Sequence, residues 1–82
     1  MGFFHKHEAT VAKAFKKVME DGKTETESRF FEHLNEIVKM IETDKSYTTN
    51  EKLAIYELIS QLSNCAPQER THFAKKLIRI LS

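Results

Sequence analysis

The sequence predicts an all-α protein, a single small antiparallel four-helix bundle over residues 1–82. Three observations carry that expectation. Apolar residues recur at helical spacing in four separate segments. The stretches between those segments carry helix-capping residues. Two glycines and one proline leave little material for hairpins or flexible linkers.

The first segment covers about residues 3–21. Phe4, Val11, Phe15 and Val18 form its stripe, with Ala12 and Met19 beside them and lysines opposite. Gly22 follows the last periodic residue, where a left-handed stop is expected. Thr24 and Glu27 then match a capping box, in which each side chain satisfies the other residue's free backbone N–H. They open a second helix over about 25–43, whose stripe of Phe30, Phe31, Leu34, Ile37, Val38 and Ile41 is the strongest in the chain.

A polar connection, Asp44 to Tyr47, leads to a second capping box at Thr48 and Glu51. The third helix covers about 49–64 and buries Ala54, Ile55, Leu58, Ile59 and Leu62. Pro67 stands at a first helical position, with Glu69 near the positive helix end, and the last helix covers about 67–81. Its apolar residues are Phe73, Ala74, Leu77, Ile78, Ile80 and Leu81. Short loops place sequential helices antiparallel, and each single stripe must be buried against the others.

A chain this small buries only roughly 60–65% of the surface its unfolded form exposes, so folding needs most of its apolar residues. The lone Cys65 excludes an intramolecular disulfide framework, and a cytoplasmic location is the expectation. The opening residues lack the apolar run of a signal peptide, and Lys6 stands where a myristoylation signal wants Ser or Thr. No apolar run is long enough for a transmembrane segment.

No catalytic, cofactor-binding or metal-binding residues are expected, and an enzyme is not. His5 and His7 are two apart and face different ways on a helix. Glu69 and His72 have the spacing used in carboxylate-bridged dimetal bundles, but those bundles need the pair twice and two further inward glutamates. Ten glutamates and four histidines in 82 residues make about half of one such pair expected by chance, so these read as surface residues. A calcium loop starting at Asp44 would need glycine where Thr49 stands and glutamate where Ile55 stands. Cys65 precedes the last helix, but no base or oxyanion site accompanies it, and it reads as a partly buried spacer.

The expected function is that of a non-enzymatic protein–protein interaction module, a small adaptor, inhibitor or regulator, with another protein as partner. Met40, Tyr47, Leu53 and Tyr56 carry the expected contact surface. They are large apolar or amphipathic residues near the turn between the second and third helices that the stripes do not require. The competing reading is structural: Met40 and Tyr47 fold over the bundle's end, while Leu53 and Tyr56 pack on the first helix. The alternative function is nucleic-acid binding through the basic last helix. Arg70, Lys75, Lys76 and Arg79 outweigh Glu69 there and give residues 65–82 a charge of +3. Residues 23–44 sum to −3, so the basic helix also has an acidic complement within the chain. Of the Phe3–Phe4 pair, flanked by Lys6 and two histidines, Phe4 belongs to the core stripe, and Phe3 alone is too short a feature for more than weak membrane contact.

Overall fold

The computed structural model describes the backbone of residues 2–81 and the side chains of residues 10–81. The helices are α1 (Gly2–Asp21), α2 (Glu27–Thr43), α3 (Thr49–Asn64) and α4 (Arg70–Leu81). A 3₁₀ turn, Pro67–Glu69, leads into α4, and no strand occurs among the described residues. α1 packs on α2 and α4, and α3 packs on the same two helices, so α1 and α3 form the diagonal pair of the bundle.

All four stripes meet in one apolar cluster. α1 contributes Val11, Ala12, Phe15 and Val18; α2 contributes Phe30, Leu34, Ile37 and Ile41. Ile55, Ile59 and Leu62 come from α3, and Ala74, Leu77 and Leu81 from α4. Apart from the adjacent Val11 and Ala12, these are successive i, i+3 or i, i+4 positions, the residues that share one face of a helix. Phe31, Val38, Leu58, Phe73, Ile78 and Ile80 are half-buried at its edges. Ala54, expected inside, is exposed. It lies one residue before Ile55, rotated off a face that three larger residues already fill. Phe4, His5, His7 and the membrane reading of Phe3 fall outside the described side chains.

The start of α2 differs from the sequence expectation. Thr24 does not cap it; the cap is Thr26, whose hydroxyl accepts from the Arg29 N–H at 3.3 Å. Residues 22–25 stay bonded to the last turn of α1, and both the N–H and the hydroxyl of Thr24 donate to the Asp21 carbonyl. Thr26 has the extended backbone a cap requires. Arg29 occupies its third position, so the reciprocal half of a capping box is missing.

Gly22 also ends α1 by another means. No described residue has a positive φ, so glycine is not there for a left-handed turn. A Cβ at this position would lie 2.6 Å from Cδ1 and 2.9 Å from Cε1 of Phe30. Glycine is required by the close approach of a buried ring.

The capping box at α3 forms as its sequence predicts. The Glu51 N–H donates to Thr48 Oγ1 at 3.1 Å, and the Thr48 N–H donates to Glu51 Oε1 at 2.8 Å. Lys52 Nζ donates to the Glu42 carbonyl near the C-terminus of α2, where cations are favoured. Pro67 opens the 3₁₀ turn rather than α4 itself; Ala66 before it has no side-chain acceptor, and proline brings no N–H to satisfy.

Candidate functional site

The four residues expected to form a contact surface are separated by burial. Tyr47 is 7% exposed and belongs to the core, its hydroxyl donating to the Leu81 carbonyl at 3.2 Å. That bond closes the bundle end where the α2–α3 turn meets the C-terminus of α4. Met40 and Tyr56 are half-buried and packed against the core. Leu53 is 60% exposed, the large hydrophobic residue that stands out among the described ones. Tyr47 therefore has almost no surface to share with the other three, and one continuous patch of all four does not form. A single sequence gave no sign of the Tyr47 bond, because its acceptor lies 34 residues away.

The outward face of α3 carries Leu53, Ala54, Glu57, Ser60, Gln61 and Asn64. From Leu53 to Gln68 the single charged residue is Glu57. Charge depletion of this kind marks the centre of protein interfaces rather than ordinary solvated surface. Tyr56, one turn from Leu53, adds a half-buried aromatic edge to that face.

The four basic residues of the last helix do not act alike. Lys75, Lys76 and Arg79 are exposed. Arg70 is not: its side chain is only 12% exposed, and its guanidinium carbon lies 4.5 Å from the centre of the Phe30 ring. Arg70 Nη2 donates to Glu27 Oε1 at 2.7 Å, while its Nε is buried without an acceptor. This hydrogen bond holds the Glu27 carboxyl below its ordinary pKa; desolvation opposes it, and the adjacent positive charge adds a smaller lowering. Arg70 thus joins the N-termini of α2 and α4 and is withdrawn from any external phosphate.

The turn after α1 is tied down by a second pair. His33 Nδ1 lies 3.1 Å from Glu25 Oε1, both side chains mostly buried. Cys65 caps the C-terminus of α3, its thiol donating to the Leu62 carbonyl at 3.4 Å. Among the described residues no group of three His, Cys, Asp or Glu side chains gathers as a metal site. None of the helices, searched over the same residues, is long and apolar enough to cross a membrane. None of the protein-family models, curated proteins or solved structures compared with the chain matches it.

Proposed function

We propose that this four-helix bundle is a non-enzymatic protein-binding module whose contact surface is the outward face of α3, centred on Leu53. The observation that carries the reading is an exposed leucine on a helix whose last three turns, from Leu53 to Asn64, hold one charge, Glu57. Leu53 is 60% exposed, so a partner's apolar pocket would recover about 1–2 kcal/mol of burial free energy. The partner that fits offers such a pocket with few charges around it, since a charge facing this surface would be desolvated without compensation. Met40 and Tyr47 serve the fold in this reading, and Tyr56 supports the edge of the contact.

Affinity capture with the wild-type protein and with Leu53→Glu tests it. The expected result is a protein recovered by the wild type and lost with Leu53→Glu, while the two melting temperatures agree. Sedimentation of the isolated protein checks whether that partner is a second copy. Equal recovery by both forms contradicts the reading. A second reading, nucleic-acid binding, draws on the exposed Lys75, Lys76 and Arg79. It requires binding that falls steeply with salt and weakens when those three are neutralised; no shift of duplex or single-stranded probes at low salt contradicts it.

A further inference from the structure

A cleft of about 710 Å³ runs between the C-terminal half of α1 and the N-terminal half of α4. That volume lies within the usual range of small-molecule sites. Its floor is apolar: Met19 from α1, Phe30 from α2, and Ala74 and Ile78 from α4. Phe30 and Ala74 are buried, and Met19 and Ile78 pack against the same core cluster, so the fold itself fixes the floor.

The rim is charged and unevenly compensated. Its acids are Glu20, Glu25 and Glu27; two of them face a lysine or arginine and the third a histidine ring, against four lining cations, Lys16, Lys23, Arg70 and Lys75. Glu20 pairs with Lys23 at 3.6 Å, Glu27 with Arg70 at 2.7 Å, and Glu25 with the His33 ring at 3.1 Å. Lys16 and Lys75 remain, both exposed, one on each helix of the cleft. Neither has an acid within ion-pair distance among the described residues. A hydrocarbon floor below two uncompensated ammonium groups is complementary to an apolar chain with a negative head.

We infer that this cleft binds a small anionic amphiphile, its chain on the half-buried Met19 and Ile78, which the buried Phe30 and Ala74 hold in place, and its head between Lys16 and Lys75. A protein segment fits less well. The cleft follows α4 from Arg70 to Ile78, about 12 Å of helix. Its walls fall well short of the roughly 800 Å² per partner that a standard protein interface buries. A carboxylate and a phosphate monoester share the required head chemistry, and paired probes distinguish them.

The test is titration of the full chain, followed by amide chemical shifts, with decanoate, decyl phosphate, decanol and decyltrimethylammonium, each below its micelle concentration. Saturable shifts clustered at residues 16–23 and 70–78 are expected for the two anions. Whichever anion binds more tightly identifies the head. Decanol should bind about tenfold more weakly, as should the anions to the Lys16→Glu/Lys75→Glu double variant, whose melting temperature should stay near that of the wild type. Equal binding of all four probes overturns the proposal, as does unchanged anion affinity in the folded double variant. So does binding of an acidic amphipathic peptide in this cleft with no response to either anion.

Discussion

Gly22 shows how one residue's role is set by a neighbour rather than by its own backbone. At an ordinary negative φ, Gly→Ala usually stabilises by about 0.4–1 kcal/mol, because the unfolded chain loses freedom. Here the added methyl meets the ring of Phe30, which is 1% exposed and packed in the core under Arg70. The overpacking cost, typically about 1–3 kcal/mol, outweighs the entropic gain. Gly22→Ala should therefore lower the denaturant midpoint, and Phe30→Leu in the same chain should relieve part of that loss. A second residue-scale prediction concerns Glu27. Its pKa is depressed in the folded state, so its contribution is fully present above its ordinary value and is lost as pH falls through the lowered one. Carboxyl titration followed by NMR should show Glu27 ionising below the ordinary glutamate value, and Arg70→Met should return it to that value. Neither role was legible in the sequence. Gly22 resembles a helix stop, and Arg70 resembles one of four equivalent surface cations until Phe30 is seen beneath it.

At the scale of the element, legibility depended on whether the deciding contact is local. The stripes of α2 and α4 and the box at Thr48 rest on residues within one or two turns, and the structure has them where their spacing puts them. The start of α2 turned on a choice between Thr24 and Thr26. Only Thr24 satisfies the capping-box pattern, yet the turn leaving α1 consumes its N–H and hydroxyl. Thr26→Ala and Thr48→Ala should each cost about 1 kcal/mol of stability, whereas Thr24→Ala should cost no more than a few tenths. Urea midpoints of the three variants check this; equal losses at Thr24 and Thr26 would mean that α2 begins earlier than described. In α3 the sequence also showed that Leu53 points away from the stripe, and its exposure agrees. Tyr47, in a connecting loop, has no place in the periodic stripes; it closes the bundle's end, as the structural alternative to a contact surface has it.

At the scale of the whole molecule, the bundle measures 36 × 23 × 20 Å, and among the described residues Leu53 is the large hydrophobic side chain left exposed. Residues from every helix are committed to one cluster, which makes an exposed leucine on α3 and an open apolar floor between α1 and α4 informative. The two features involve different helices, α3 for one and the α1–α4 pair for the other, and α1 lies diagonal to α3. Leu53→Glu should therefore leave decanoate binding unchanged, and the Lys16→Glu/Lys75→Glu variant should leave partner capture unchanged, as expected of distant, independent sites. The end-to-end ties of the bundle, Tyr47 to Leu81 and Arg70 to Glu27, link residues 34 and 43 positions apart and could not be seen in a single sequence.

In the proposed function the outward face of α3 meets another protein. The most direct measurement places a photo-crosslinking amino acid at Leu53 and, in a separate variant, at Arg79, and compares the adducts formed in cells. Both positions are exposed, so the comparison is of surfaces and not of accessibility. A discrete protein adduct from position 53, absent from position 79 and abolished by unfolding the bundle, is the predicted result. Adducts to nucleic acid from position 79 with none from position 53 would contradict it.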